Sequence, residues 1–201
     1  DKIHSCAWSS DGELIVTAAK EPRLLIWDAS KPNNRAQLAE VFLENDGWPL
    51  SCAISPSASL VASGGMNEKV LVGSWRKQIT AGRKYPLNPV GEHEGYVSSL
   101  CFLGDDRNLV SGSGDSFIRV WDVGAKTCKA KFTHSADVLA VASNPDNNDL
   151  ILAAGADLEC RVHDVRTTKC AGVFVGAESD IEHVAFNPAL SHFFVGASGD
   201  G

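Results

Sequence analysis

Short runs of hydrophobic, β-forming residues recur along the chain, each bounded by a polar turn, and they predict strands rather than helices. In the clearest unit, the four predicted strands cover residues 96–102, 109–113, 117–121 and 127–132. The turns between the first three are Gly-Asp-Asp-Arg-Asn at 104–108 and Gly-Asp-Ser at 114–116, both typical of a chain reversal. One unit therefore predicts a sheet of four short strands.

Four stretches end in versions of one five-residue motif and mark a repeat. They are Leu24-Leu25-Ile26-Trp27-Asp28, Val70-Leu71-Val72-Gly73-Ser74, Ile118-Arg119-Val120-Trp121-Asp122 and Cys160-Arg161-Val162-His163-Asp164. Their last residues lie 46, 48 and 42 positions apart (28 to 74, 74 to 122, 122 to 164). A period of roughly 40–45 residues that closes on Trp-Asp is typical of a propeller blade.

The repeat predicts an all-β fold, a WD-repeat β-propeller with about four blades and part of a fifth. The predicted blades, within a single partial domain 1–201, cover residues 1–46, 47–91, 92–133, 134–175 and, incompletely, 176–201. The chain opens on Asp1 and stops inside a repeat, so we expect an internal fragment of a larger propeller.

Composition and charge narrow the classes of function. The 201 residues are 44% hydrophobic and 21% charged, which is ordinary for a globular protein. The net charge of −7 argues against nucleic acid as the main partner, because phosphate binding needs clustered Lys and Arg. No window approaches 18 consecutive apolar residues, so no membrane-spanning segment is predicted.

The cysteines and histidines do not predict a metal site. None of the six cysteines forms a CxxC pair, which favours buried, reduced thiols in a cytosolic protein. His4, His183 and His192 have no cysteine or histidine at metal-ligand spacing. We therefore expect neither a metal nor a cofactor.

One unit carries four polar residues that belong together in a WD-repeat blade: His93, Ser111, Asp115 and Trp121. We expect them to form a hydrogen-bonded relay from Trp through Ser and His to Asp, which ties the outer loop to the inner strands. A Ser, a His and an Asp also suggest a hydrolase triad. No nucleophile elbow accompanies them, so we expect a structural network and no enzyme.

Other units keep only parts of this relay. The relay positions retained are Thr17 and Trp27 in the first unit and His134 and Asp157 in the fourth. In the fourth unit, Ala153 stands where the serine would be, and His163 stands where the tryptophan would be. We interpret His163 as a core substitute for tryptophan, with a metal ligand as the alternative.

The loop sequences, in their order along the chain, indicate a particular family more specifically than the repeat pattern does. The informative segments are Trp48-Pro49-Leu50-Ser51-Cys52-Ala53, His93-Glu94-Gly95-Tyr96-Val97-Ser98, His163-Asp164-Val165-Arg166 and Gly176-Ala177-Glu178-Ser179-Asp180-Ile181. Together they resemble the heterotrimeric G-protein beta subunit family, in register over essentially all 201 residues. The resemblance implies a divergent, internal fragment of a seven-bladed propeller.

The resemblance also implies a non-catalytic signalling scaffold that couples receptors to downstream signalling. In that family the propeller binds a G-protein alpha subunit and effectors through one face. A gamma subunit is held through regions that lie outside this sequence. The implied localisation is cytoplasmic, at the inner face of the plasma membrane, with membrane contact only through lipidated partners. The alternative is an unrelated WD-repeat adaptor, of the ribosome-associated or ubiquitin-ligase type.

Motif by motif, the resemblance implies partner-binding residues on one rim: Arg23, Leu25, Trp48, Leu50, Met66, Glu68, Tyr96, Asp137 and Asp180. Apolar and aromatic anchors ringed by charges are typical of binding hot spots. Trp48 is interpreted as a rim contact, with a packed loop anchor as the alternative.

The segment 76–90 contains the basic residues Arg76, Lys77, Arg83 and Lys84. We interpret it as a solvated connector, with a membrane-facing basic patch as the alternative. Glu68, Glu94 and Glu182 stand where the resembled family has neutral residues, so we expect altered partner choice.

Overall fold

The structure is a computed structural model that describes residues 2–31, 37–43, 47–75 and 87–200. This part of the chain forms five antiparallel sheets. The first sheet contains β1 (Ile3–Trp8), β2 (Leu14–Ala19), β3 (Arg23–Asp28) and β4 (Gln37–Phe42). The second contains β5 (Pro49–Ile54), β6 (Leu60–Gly65), β7 (Lys69–Ser74) and β8 (Asn88–Glu92).

The other three sheets continue the same plan. The third contains β9 (Val97–Phe102), β10 (Asn108–Ser113), β11 (Phe117–Asp122) and β12 (Thr127–Thr133). The fourth contains β13 (Val138–Ser143), β14 (Leu150–Gly155), β15 (Glu159–Asp164) and β16 (Lys169–Val175). The fifth contains β17 (Ile181–Phe186) and β18 (Phe194–Ser198).

Strand order in every sheet follows chain order, because each strand pairs with the next one along the chain. The predicted all-β fold, a partial propeller built from repeated antiparallel sheets, is confirmed. The predicted blade boundaries within a single domain 1–201 stay a prediction.

The hydrophobic core is divided into four clusters, each lying between two successive sheets. Side chains alternate between the two faces of a strand. Leu109 therefore packs toward the second sheet and its neighbour Val110 toward the fourth. Each inner sheet is thus buried on both faces and depends on both neighbours for its stability.

The first strands of the five sheets lie side by side, since β1 contacts β5, β5 contacts β9, β9 contacts β13 and β13 contacts β17. They line an open cavity of about 610 Å³. Leu50, His4 and His183 are among its lining residues. The sheets therefore radiate from a common side, as blades do around a propeller axis.

The outer strand β8 differs from the sequence interpretation, which placed residues 76–90 in a connector. Residues 88–90 instead belong to β8, which pairs with β7 through its backbone. Pro89 and Gly91 are tolerated because β8 is the outermost strand of its sheet. Arg76, Lys77, Arg83 and Lys84 lie outside the described residues.

The turn between the second and third strands has the same backbone conformation in three sheets. Glu68, Ser116 and Leu158 occupy equivalent positions, with φ values of 65°, 65° and 64°. Each amide of these residues donates a hydrogen bond to the carbonyl three residues earlier. This shared turn places corresponding side chains of neighbouring sheets at the same edge.

Candidate functional site

The third sheet contains a continuous polar relay. Trp121 Nε1 donates to Ser111 Oγ at 2.7 Å, and Ser111 Oγ lies 2.7 Å from His93 Nε2. His93 Nδ1 lies 2.9 Å from Asp115 Oδ2. A single tautomer satisfies the relay, with the Ser111 hydroxyl donating to Nε2 and Nδ1 donating to the carboxylate. The structure thus brings together all four residues of the predicted relay.

The relay joins a neutral imidazole to an ionised carboxylate. Burial lowers the pKa of His93 to about 4, so the ring is uncharged at neutral pH. Burial opposes ionisation of Asp115, yet hydrogen bonds from the Glu94 amide and from His93 hold its pKa below the usual range. Arg119 Nη1 also donates to Asp115 at 2.8 Å. The carboxylate therefore fixes the tautomer of His93.

The Ser-His-Asp geometry does not form a hydrolytic site. Ser111 is fully buried, and its hydroxyl is engaged by both Trp121 and His93. A nucleophile must reach a substrate in an accessible cleft, which this position does not offer. Among the described residues, no group of three or more His, Cys, Asp or Glu side chains could hold a metal ion.

The fourth sheet keeps half of the relay and rebuilds the rest. His134 Nδ1 lies 3.0 Å from Asp157 Oδ2, as in the third sheet. Ala153 replaces the serine, and His163 Nε2 instead faces His134 Nε2 at 3.4 Å. In the first sheet, Trp27 Nε1 donates to Thr17 Oγ1 at 2.9 Å. The structure therefore pairs Thr17 with Trp27 and His134 with Asp157.

One edge of the sheets, which we call the rim, collects most of the predicted partner-binding residues. The residue immediately before the first strand of sheets two to five is Trp48, Tyr96, Asp137 and Asp180. Each of their carbonyls accepts a hydrogen bond, at 3.0–3.3 Å, from the turn after the second strand of the same sheet. These residues thus occupy equivalent positions along the rim.

The second sheet contributes the apolar part of the rim. Trp48 is 48% exposed and Met66 is 56% exposed. Lys20 Nζ, from the first sheet, lies 4.9 Å from the centroid of the Trp48 ring. Glu68 is also exposed, in the turn that follows Met66.

The third and fourth sheets are joined across the rim by a hydrogen bond. Tyr96 Oη donates to Asp137 Oδ2 at 2.8 Å. Burial, then the interaction with Asp137 and the charge of Asp180, raise the pKa of Tyr96 to about 12. This end of the rim is therefore acidic, and the tyrosine is hydrogen-bonded to the nearer of two carboxylates.

Three predicted partner-binding residues are less accessible. Arg23 begins β3 but forms salt bridges with Glu21 and Glu40. Leu25 is half-buried in β3, and Leu50 is half-buried in β5, where it lines the central cavity. The exposed members of the predicted set are thus Trp48, Met66 and Glu68 in the second sheet and Asp180 before the fifth, whereas Tyr96 and Asp137 are half-buried.

Sequence reasoning missed two lysines at the rim. Lys2 immediately precedes β1, so it is the counterpart of Trp48, and its carbonyl accepts from the Lys20 amide at 3.1 Å. The repeat register alone was sufficient to find Lys2. The position of Lys20 over Trp48 depends on packing between sheets. The rim is therefore basic at the first sheet and acidic at the fourth and fifth.

Comparison with known proteins supports this repeat architecture. The family described as "WD domain, G-beta repeat" matches residues 1–28, 85–122 and 126–164, which together make up just over half of the chain. Over 98% of its length, the chain is similar to the "Guanine nucleotide-binding protein subunit beta" of Solanum tuberosum, with 31% identity. It is also 30% identical to "subunit beta-1" of Nicotiana tabacum and 28% identical to the subunit beta of Oryza sativa subsp. japonica, again over 98% of the chain.

The chain spans about half the length of these curated relatives, since the matched region makes up 53% of each. The predicted resemblance to the G-protein beta subunit is confirmed at the level of sequence similarity.

Proposed function

Because the chain belongs to the WD domain, G-beta repeat family, we propose that it is part of a non-catalytic signalling scaffold. We place it in a G-protein beta subunit that binds an alpha subunit and effectors through the rim. The supporting observation is the exposure of Trp48 and Met66 beside the Tyr96–Asp137 hydrogen bond, on one edge of successive sheets.

The chemistry of the rim suits a protein partner. A large, exposed aromatic side chain beside a methionine is a typical hot-spot anchor, and surrounding polar residues exclude water from it. Lys2 and Lys20 at one end, with Asp137 and Asp180 at the other, favour a partner whose charges run in the opposite order. Charge complementarity of this kind fixes the orientation of a complex more than its affinity.

The other proposed partners follow from the same similarity. Effectors would use the rim after the alpha subunit is released, and receptors would act through the assembled complex. A gamma subunit would be held by regions outside this sequence. We place the protein in the cytoplasm at the inner face of the plasma membrane, reached through lipidated partners. The described residues contain no helix that is long and apolar enough to cross a bilayer.

The proposal is tested by Trp48→Ala in the full-length protein. We expect binding of the alpha subunit to weaken by more than about 2 kcal/mol, because truncating a central anchor removes both its packing and its exclusion of water. Isothermal titration calorimetry measures the change.

Trp8→Ala is the matched control. Trp8 is 59% exposed and ends β1, at the edge opposite the rim, so its loss should leave affinity unchanged. Equal affinities for wild type and Trp48→Ala would refute the rim as the binding face. Failure of the full-length protein to bind any alpha subunit would favour an adaptor scaffold instead.

A further inference from the structure

Two buried imidazoles face each other at the seam between the third and fourth sheets. His163 projects from β15, and His134 lies between β12 and β13. Each residue is only 3% exposed, and the two Nε2 atoms are 3.4 Å apart. The His163 ring also packs on Phe132 of β12, with ring centroids 4.6 Å apart. The pair therefore joins the two sheets at their outer part.

Hydrogen bonding at this pair is incomplete in either tautomer of His163. Asp157 accepts from Nδ1 of His134, so the Nε2 atom of His134 carries a lone pair. Nε2 of His163 can donate to that lone pair only over a long distance. Nδ1 of His163 has no partner among the described residues. A buried nitrogen without a partner costs free energy, so it reduces the stability of the closed seam.

The surroundings do not favour a proton on His163. The charged groups nearby are Asp157, Arg161 and Glu159, and Arg161 already pairs with both carboxylates. The neighbouring strands bring Phe132 from β12, Ile151 from β14 and Cys170 from β16 to His163. Burial, followed by the nearby His134 and Arg161, lowers the pKa of His163 to about 4. Burial also lowers the pKa of His134, although Asp157 opposes this.

We propose that His134 and His163 form an acid-sensitive latch that holds the fourth sheet against the third. Protonation drives the two rings apart, because like charges cannot share this buried space. Residues 134–137 then lose their anchor. They include Asp137, which accepts the rim hydrogen bond from Tyr96. The opening itself is a property of the fold, whereas its effect on partner binding rests on the proposed function.

The direction of the effect follows from the lowered pKa values. Well above the ordinary histidine pKa of about 6.5, both histidines are neutral whether the seam is open or closed, and the latch is fully stable. As the pH falls toward the folded-state pKa of about 4 for His163, only the open form takes up protons. Stability is therefore lost progressively on acidification through this window.

The third sheet supplies a control within the same molecule. Its seam with the second sheet holds one buried imidazole, His93, and both ring nitrogens of His93 have partners. Opening of the seam between the second and third sheets should therefore take up one proton, whereas opening of the seam between the third and fourth sheets should take up two.

Amide hydrogen exchange on the full-length protein between about pH 5 and pH 7 tests the latch. After correction for intrinsic exchange, the slope of the logarithm of the opening constant against pH gives the protons taken up. We expect a value approaching two for the amides of β14 and β15 and about one for those of β10 and β11. Equal slopes for the two sheets would overturn the proposal.

Two variants isolate His163. His163→Leu removes the titrating ring with little change in volume, and His163→Gln retains a hydrogen-bonding group that does not titrate. Each variant that folds should lower the fourth-sheet value to about one and leave the third sheet unchanged. An unchanged fourth-sheet slope in either variant would assign the acid sensitivity to other groups.

The link to the rim is measured separately, by comparing alpha-subunit binding at pH 7.5 and pH 5.5. Wild type should lose more affinity over this range than His163→Leu. An equal loss in both would disconnect the latch from the rim. The hydrogen-exchange experiment requires no binding partner. Absence of alpha-subunit binding would therefore refute the proposed function without affecting the proposal of the latch.

Discussion

The third and fourth sheets have the same strand order and the same His–Asp contact, but they fill one position differently. In the third, Trp121 reaches Ser111 and completes the relay. In the fourth, His163 takes the place of the tryptophan and leaves one nitrogen without a partner among the described residues. The comparison shows that a relay residue also serves as packing between sheets.

The packing partner changes together with the relay residue. Gly91 in β8 and Phe132 in β12 occupy equivalent positions, each two residues before the relay histidine of the next sheet. A Cβ added at Gly91 would lie 2.1 Å from the Trp121 ring, whereas Phe132 packs on the smaller His163. The large Trp121 therefore faces a glycine, whereas the smaller ring of His163 faces the ring of Phe132. The residues at the two facing positions thus change together, as expected in a close-packed core.

The largest expected loss of stability comes from removing the side chain of Trp121. Trp121→Ala should destabilise the full-length protein by about 3–5 kcal/mol, because it leaves a cavity against Gly91 and removes the hydrogen-bond donor to Ser111. His163→Ala should cost about 2 kcal/mol or less, because it also removes an unsatisfied nitrogen. Urea denaturation measures both. Equal costs would contradict the difference proposed between the two seams.

An intermediate effect is expected from removing the relay hydroxyl. Ser111→Ala leaves Trp121 Nε1 and His93 Nε2 without partners in a buried site, which should cost about 2 kcal/mol. Thr17→Val is the matched control, since Trp27 is only half-buried and water can replace the lost bond. We expect a loss below about 1 kcal/mol for Thr17→Val in the same denaturation experiment. If Thr17→Val lowered the free energy of unfolding as much as Ser111→Ala, burial would not determine how much these hydrogen bonds contribute to stability.

The smallest expected quantity is a coupling free energy between two substitutions at the seam, which tests the exchange of side-chain size directly. His163→Trp alone should destabilise by about 1–3 kcal/mol, because the larger ring meets Phe132. Phe132→Gly in the same chain should relieve the clash, with a coupling free energy of at least about 1 kcal/mol in a double-mutant cycle. Additive effects of the two substitutions would refute a shared seam volume.

The sequence was most informative where both faces of a strand are buried. The predicted strand 117–121 matches β11 to within one residue, because alternating β-formers between glycine-containing turns leave few other arrangements. The outer strands β8 and β16 were not predicted. Their backbones are held by pairing with inner strands, while Pro89, Gly91 and the exposed residues of β16 give no periodic signal.

The sequence predicted which residues occupy equivalent positions in the repeats, but it did not predict the contacts that these residues make between sheets. Repeat alignment was sufficient to group His93, Ser111, Asp115 and Trp121. The bond from Tyr96 to Asp137 depends on the angle between two sheets, and the facing of His134 and His163 depends on the volume left by Ala153. Neither quantity is encoded in residue spacing. The partner-binding role of the rim residues stays a proposal.

A pull-down of the alpha subunit by the full-length protein, with and without a nucleotide that activates the alpha subunit, tests the proposed function most directly. We expect capture of the inactive alpha subunit and its release on activation, with Trp48→Ala weakening the capture. Capture that is the same in both nucleotide states, or no capture at all, would contradict a beta-subunit function for this chain.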